Sequence, residues 1–460
     1  MDRLVGRRMR IEELGGKRVA IWGFGREGRA ALAALRQHLP QQAFTLFCSA
    51  AEVDAARAFD PALEVIAGAP DAVALGGFDI VVKSPGISAY KPALLVAQAQ
   101  GTHFTSGTAL WFAENPDARV IAVTGTKGKS TTSAMLAHLA RSLGLRTALA
   151  GNIGLPLLEL GHRGADLWVI ELSSFQTGEA GPLELGVITS LYEEHLDWHG
   201  TRERYVEDKL KLADVAGQLL INARQPTLLA HTQQHPHRLM FGQPHGWHVA
   251  NGFIRRGERG VFPLAQLAAP GLHNAFNACA ALAALAALGM DALAAAPALA
   301  SFSPLPHRLQ ALGERDGFDW VNDSISTAPQ ATLAALDSLS GRAVTVLVGG
   351  HDRGLDWTPF VQAMLSKPAH AIVCMGSQGA RIAEALRAAG VPCPVLSGDD
   401  LGQAVAQARS TTPSGGVILL SPGAPSFDQF KDYAERGRRF GELAGFEGAA
   451  IAGIEGVGIS

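Results

Sequence analysis

The segment Val123-Thr124-Gly125-Thr126-Lys127-Gly128-Lys129-Ser130-Thr131-Thr132 constrains the fold more than any other. It follows a β-type run at 119–124 and opens an alanine-rich helical stretch at 130–143. At such a junction the backbone N–H groups around Gly125, Thr126, Lys127 and Gly128 and the helix N-terminus can cradle a polyphosphate. Lys129 would reach the terminal phosphates, and Ser130 or Thr131 would hold the Mg²⁺ that bridges them. The glycines are closer together than in the common G-x-x-x-x-G-K-[ST] form. The strand-turn-helix context therefore carries the reading, which is an ATP site and not a basic glycine turn.

The rest of the chain repeats the same alternation. Strands are predicted at 18–22, 44–48 and 79–82 with a helix at 27–39; then at 119–124, 167–171 and 185–189, with a helix at 274–288; then at 343–348, 371–375 and 416–420. Short β-type runs separated by helices make parallel sheets. At roughly 100–200 residues per domain, 460 residues allow two to four domains. The pattern predicts an α/β protein of three consecutive α/β domains. These are 1–112 (Rossmann-like), 113–304 (P-loop ATPase-like) and 305–460 (Rossmann-like), with a linker at Ser303-Pro304-Leu305-Pro306. A small β-rich insertion is expected at 238–262 and a frayed glycine-rich tail at 451–460.

Composition removes other classes. With 39 Lys plus Arg against 42 Asp plus Glu, the net charge of -3 gives no basic footprint for nucleic acid. The four cysteines are widely spaced and form no C-x-x-C pair, so neither a disulfide framework nor a thiolate metal site is expected. No apolar run reaches the roughly 20 residues of a membrane span, and the start carries no signal-peptide core. A soluble, cytoplasmic protein is expected.

Glu171 ends one predicted strand and His195 follows another, so the two could ligate a divalent ion or could be ordinary polar capping. Lys209, in Tyr205-Val206-Glu207-Asp208-Lys209, has the pattern of a solvent-facing helix lysine. The turn Gly23-x-Gly25-x-x-Gly28 suits a diphosphate, but no acidic residue cleanly ends the next strand, which disfavours a redox enzyme.

Taken together, these segments resemble the Mur ligase family of cell-wall biosynthesis, most closely its glutamate-adding branch. The resemblance runs through Gly23 to Gly28, Lys83-Ser84-Pro85-Gly86-Ile87, Thr124 to Thr132, Gly151-Asn152-Ile153-Gly154 and Glu171-Leu172-Ser173-Ser174-Phe175-Gln176. It continues at His195-Leu196-Asp197, Gly271-Leu272-His273-Asn274 with Asn277, Pro306-His307-Arg308, Asn322-Asp323-Ser324, Gly349 to Gly354 and Ser421 to Lys431.

The resemblance implies an ATP- and Mg²⁺-dependent ligase that joins UDP-N-acetylmuramoyl-L-alanine to glutamate through an acyl phosphate. It places Gly25, Arg26, Ser84, Pro85, Gly86 and Ile87 near the UDP-sugar, and Asn152, Ser173 and His199 near the donor. It places Asn274, Asn277, Arg308 and Asp323 around ATP. Glu171 and His195 would hold Mg²⁺ with Ser130, and Lys209 matches the lysine that is carbamylated in the family and so becomes a metal ligand. The enzyme is expected to be a monomer, with its last domain closing over the site.

The acceptor side departs from the family pattern. Asp-Ser-Lys-Ala-Thr-Asn appears as Asp323-Ser324-Ile325-Ser326-Thr327-Ala328, the usual cysteine is Ala424 and the usual phenylalanine is Tyr433, whereas Ser426 is kept. Ile325 cannot pair with a glutamate carboxylate. These departures resemble the variant branch that adds L-glutamate, whose product a separate enzyme epimerises. The ordinary D-glutamate branch is the alternative. A folylpolyglutamate-type ligase and a non-catalytic nucleotide-binding module are more distant ones.

Overall fold

Runs of four to six apolar residues, buried on both faces, set the architecture. The computed structural model describes residues 9–153, 155–161, 164–192, 196–269, 271–303, 305–352, 354–447 and 458–459. They fall into two compact units, one reaching to Phe302 and including Gly458–Ile459, the other beginning at Ser303.

The first unit holds two α/β sheets. Strands β1 (Val19–Trp22), β2 (Phe44–Cys48), β3 (Glu64–Ala67), β4 (Ile80–Lys83) and β5 (His103–Thr105) form a parallel sheet in the order β3-β2-β1-β4-β5. That order reverses direction between β1 and β4, so the crevice for a ligand opens at their carboxyl ends. The 23–28 turn leaves β1 there and residues 84–87 leave β4. Gly28 is obligatory at this turn, because a Cβ would lie 2.0 Å from the Gly23 carbonyl oxygen.

The second sheet is built from β6 (Val120–Thr124), β7 (Thr147–Gly151), β8 (Leu167–Glu171), β9 (Leu183–Ile188), β10 (Ala216–Asn222) and β11 (Arg238–Phe241). Its order is β11-β10-β9-β6-β8-β7, with every pair parallel. Val120, Ile121, Ala122 and Val123 are all at most 1% exposed, which is what a central parallel strand covered by helices on both faces requires. Strands β12 (Trp247–Ala250), β13 (Phe253–Arg256) and β14 (Arg259–Pro263) make a separate antiparallel meander. The expected insertion at 238–262 is thus corrected: its first strand belongs to the main sheet, and only Trp247–Pro263 stands apart.

The second unit has strands β15 (Gln310–Arg315), β16 (Phe318–Asn322), β17 (Val344–Val348), β18 (Ala371–Met375), β19 (Val395–Gly398) and β20 (Val417–Leu420). They run β15-β16-β20-β17-β18-β19, parallel except for β15. Three α/β sheets in series match the expected fold class.

The tail departs from expectation. Residues 451–457 lie outside the described residues, but Gly458–Ile459 form β21, which pairs antiparallel with β7 (Gly458 with Leu149, Ile459 with Ala148). Unpaired N–H and C=O groups on an edge strand recruit such a segment. Among the described residues, no helix is long and apolar enough to cross a membrane.

Candidate active site

Strand β6 hands the chain to the loop 125–128, and the helix Lys129–Ser142 begins immediately after it. Gly125 has φ 146°, and a Cβ there would sit 2.1 Å from Thr189 Oγ1, so the loop is pressed against the end of β9. Polar groups from that neighbour fix its shape. Thr126 N–H donates to Ser190 O at 2.9 Å, Lys127 N–H to Ser190 Oγ at 2.8 Å, and Thr189 Oγ1 to Lys127 O at 2.6 Å. Lys129 Nζ folds back on Thr126 O at 3.1 Å, which keeps its ammonium beside the loop. Ser130 and Thr131 occupy the first turn of the helix, where its positive end favours anions.

On the helix Leu272–Ala287, Asn274 and Asn277 are three residues apart and joined by Asn277 Nδ2 to Asn274 Oδ1 at 3.2 Å. Asn277 Oδ1 also accepts from Thr132 Oγ1 at 3.3 Å and lies 2.5 Å from where a Gly128 Cβ would be. Both asparagines are therefore gathered at the phosphate loop.

Glu171 closes β8, adjacent to β6, and is fully buried. Asn152 Nδ2 donates to its Oε1 at 2.9 Å, whereas Oε2 is buried with no hydrogen-bond partner among the described residues. A buried carboxylate oxygen left in that state costs free energy unless a cation takes it. A hard-oxygen donor such as Glu171 Oε2 fits Mg²⁺, and the Ser130 hydroxyl is of the same chemical kind. His195, the other expected imidazole ligand, lies outside the described residues. Ser173 Oγ donates to Gln176 Oε1 at 2.8 Å, which holds it just beyond Glu171.

Lys209 is not the solvent-facing lysine its sequence neighbourhood suggests. On the helix Arg202–Val215 it is 2% exposed; its Nζ donates to Gly125 O at 2.9 Å and lies 5.0 Å from the Tyr205 ring centroid. Helical periodicity shows only that one face is polar; the β6 and β9 strand ends decide that this face is covered. His199, expected near the donor, is fully enclosed. Its Nδ1 is hydrogen-bonded to Asp208 Oδ2 at 2.7 Å and its Nε2 to Ser174 Oγ at 3.0 Å. Burial, helped by Lys209 and Lys211, holds its pKa below the ordinary histidine value against the opposing pull of Asp208.

The first-sheet residues meet at the β1–β4 crevice. Ser84 Oγ donates to Gly23 O at 3.3 Å, Ile87 Cδ1 lies 3.3 Å from where a Gly23 Cβ would be, and Pro85 O accepts from Trp198 Nε1 at 3.1 Å. Gly25 and Gly86 have open space around them, and Arg26 is exposed at the mouth.

In the second unit, Asp323 is 3% exposed and held by Ser326 Oγ at 2.5 Å, Ser421 Oγ at 2.7 Å and Leu309 N–H at 3.0 Å. Burial raises its pKa, opposed by those bonds and by Arg308. Ile325 is half-buried and its N–H donates to His307 O at 3.0 Å; Ala424 is fully buried and Ser426 is 2% exposed. Tyr433 opens the helix Tyr433–Leu443 and is 37% exposed. Arg436, absent from the sequence-based set, ties these departures together. Its guanidinium is 1% exposed and donates to Ser324 Oγ (3.0 Å), Ser324 O (2.8 Å) and Ala424 O (3.0 Å). Burial lowers its pKa to about 10.

A glycine loop at a helix N-terminus, flanked by a buried carboxylate at the end of the adjacent parallel strand, defines a nucleotide-binding α/β protein of the phosphate-loop class. The sequence narrows this further. Residues 123–285 match the Mur ligase middle domain and residues 307–423 the Mur ligase, glutamate ligase domain. The chain belongs to the Mur ligase family.

It is 51% identical over 468 residues to a UDP-N-acetylmuramoyl-L-alanine--L-glutamate ligase of Xanthomonas axonopodis pv. citri, spanning 98% of this chain and 100% of the relative. A ligase with the same description from Salinispora tropica is 39% identical over 450 residues, spanning 94% and 98%. Among solved structures, the UDP-N-acetylmuramate-alanine ligase of Thermotoga maritima aligns with a TM-score of 0.61 at 20% identity, covering 93% of this chain and 98% of its own. That likeness bears on the fold.

Proposed function

We propose that this chain is an ATP- and Mg²⁺-dependent ligase that joins the alanyl carboxylate of UDP-N-acetylmuramoyl-L-alanine to the amine of L-glutamate, in cytoplasmic peptidoglycan-precursor synthesis. The observation that carries the proposal is the juxtaposition of Lys129 Nζ with the 125–128 loop and, at the neighbouring strand end, of a buried Glu171 Oε2 that has no partner among the described residues. It occurs in a chain half identical to L-glutamate ligases over their full length. In this reading the monomer is divided into 1–112 for the UDP-sugar, 113–304 for ATP, and 305–460 for the amino acid. The product passes to a separate epimerase.

A carboxylate does not react with an amine, so its oxygen must first be phosphorylated to give a leaving group. The loop N–H groups and Lys129 hold the polyphosphate and offset the charge that builds on the transferring phosphoryl group. Mg²⁺, when bound, would add Lewis-acid neutralisation of the same oxygens; Glu171, Ser130 and His195 are the residues that would hold it, together with Lys209 once its amine is carbamylated to a carboxylate-like ligand. Ser173 and Asn152, at the ends of β8 and β7, stand where the donor carboxylate would be oriented. Gly25, Arg26 and Ser84 to Ile87 receive the nucleotide end at the β1–β4 crevice. Asn274 and Asn277, gathered at the phosphate loop, would contact ATP, and the family resemblance assigns Arg308 and Asp323 to ATP as well. Ser426 and Tyr433 belong to the acceptor pocket.

The test is phosphate release by the purified chain with ATP, Mg²⁺ and UDP-N-acetylmuramoyl-L-alanine, with L- and D-glutamate compared at equal concentration. Release with L-glutamate at least tenfold faster is expected, because a pocket that fits one arrangement around the α-carbon misplaces the attacking amine of the other. Preference for D-glutamate would overturn the choice of acceptor, and release independent of both the donor and the amino acid would overturn the ligase.

A further inference from the structure

Two neighbouring residues on the helix Arg202–Val215 reach in different directions, as side chains about 100° apart around a helix must. Lys209 points to the phosphate loop, and Asp208 points to the first-sheet side of the same unit. Asp208 is 4% exposed, and both of its oxygens are taken: Tyr90 OH lies 2.8 Å from each, His199 Nδ1 2.7 Å from Oδ2, and Lys211 Nζ 2.5 Å from Oδ1.

The contacts continue without a gap at both ends. The His199 ring meets the Tyr205 ring edge-on at 5.2 Å, and Tyr205 OH is hydrogen-bonded to Thr126 Oγ1 of the phosphate loop at 2.7 Å. At the other end, Tyr90 lies three residues beyond the 84–87 segment. Its ring packs edge-on against Trp198 at 5.7 Å, whose Nε1 holds Pro85 O and whose carbonyl accepts from Ser88 Oγ at 2.6 Å. A chain of packed and hydrogen-bonded groups thus runs from the β1–β4 crevice through Tyr90, Asp208, His199 and Tyr205 to Thr126, with Lys209 fixed beside it.

Burying a carboxylate among a phenol and an imidazole is costly, and well-packed apolar residues would hold these elements together at least as well. The network ends on the two loops that receive ligands in the proposed function. Deepening that reading, and resting on it, we propose that Tyr90 and Asp208 are positioning residues. They transmit occupancy of the donor crevice at 84–87 to the placement of Thr126 and Lys209 around the ATP phosphates. Neither residue touches the reacting atoms. Energetic coupling of this kind is reciprocal, so each ligand tightens the other by the same factor.

The experiment measures the affinity of the full chain for a non-hydrolysable ATP analogue with Mg²⁺, with and without UDP-N-acetylmuramoyl-L-alanine, for wild type, Tyr90→Phe and Asp208→Asn. In the wild type the donor is expected to tighten the analogue about tenfold, within the usual range of allosteric coupling. In Tyr90→Phe, which removes one oxygen and keeps the ring, the factor is expected to fall to about twofold or less, with donor-free analogue affinity unchanged. Asp208→Asn is expected to behave alike, and the double variant no worse than either single one, because both break one link. A purely structural role would lower donor-free affinity or thermal stability and leave the factor intact. An equal factor in wild type and Tyr90→Phe overturns the proposal, as does a wild-type factor of one. Wild-type protein that binds no donor, or releases no phosphate in the assay above, overturns the functional reading itself.

Discussion

Replacing Glu27 by glutamine should make the protein more stable, by a margin that grows as the pH rises from 4.5 to 7. Glu27 sits in the first turn of the helix Arg26–His38, half-buried, with Oε2 3.5 Å from where a Gly107 Cβ would be. Its pKa is raised from 4.5 to about 7, first by burial and then by Glu179 and Glu159, with Arg26 opposing. Below pH 4.5 the carboxyl is protonated in both the folded and the unfolded chain. Between 4.5 and 7 the unfolded chain releases a proton that the folded chain keeps, so stability falls as pH rises and levels off above 7. The full shift corresponds to roughly 3 kcal/mol at 1.36 kcal/mol per pH unit, and partial access to water brings the expected loss to about 2 kcal/mol. Glutamine has the same shape and no charge to bury. Glu27→Gln should match the wild type at pH 4.5 and exceed it at pH 8 by about 2 kcal/mol, or roughly 3 °C in the thermal midpoint of a unit of this size. Thermal unfolding of both proteins across that range is the assay. Every other titrating group is common to the two, so the difference isolates Glu27. A difference independent of pH, or one favouring the wild type at pH 8, would refute the reasoning.

Three further outcomes follow from the same structure. His307, 5% exposed and accepting from Asn322 Nδ2 at 3.0 Å, has its pKa lowered to about 4, first by burial and then by Arg438. Its unfolded form takes up a proton below about pH 6.5, so up to about 3 kcal/mol is lost between pH 6.5 and 4. His307→Asn, whose side chain tolerates the φ of 60° there, should narrow its stability deficit as the pH falls, measured by denaturant unfolding. Glu171→Gln should raise the Mg²⁺ concentration for half-maximal phosphate release at least tenfold while leaving the metal-free protein as stable or more so, because a buried charge is removed. Gly125→Ala should raise the KM for ATP at least tenfold, since its Cβ would collide with Thr189 Oγ1 and the backbone at Ser190; unchanged kinetics would mean that the loop shape is not what holds the phosphates.

Local patterns and the tertiary structure determined different things. The run Val120–Thr124, the glycine loop and the helix after it are local features: apolar run length, backbone freedom at glycine and helix polarity act within ten residues, so the phosphate site could be read directly. Glu171 stands out as a lone carboxylate ending an apolar run, but the run alone leaves a metal ligand and an ordinary polar cap alike. Lys209 looked like a surface lysine because helical spacing does not say what packs on a face, and Asp208 and Tyr90 gave no local signal, being 118 residues apart. Arg436 was missed likewise, since its partners Ser324 and Ala424 come from the ends of β16 and β20. The sequence by itself determined the α/β class, the three sheets and the phosphate loop, because short-range propensity and periodicity suffice for them. Only the tertiary structure decided which polar side chains were sealed from water and which strand ends faced one another, because burial and long-range hydrogen bonding depend on elements that meet only after the sheets have formed.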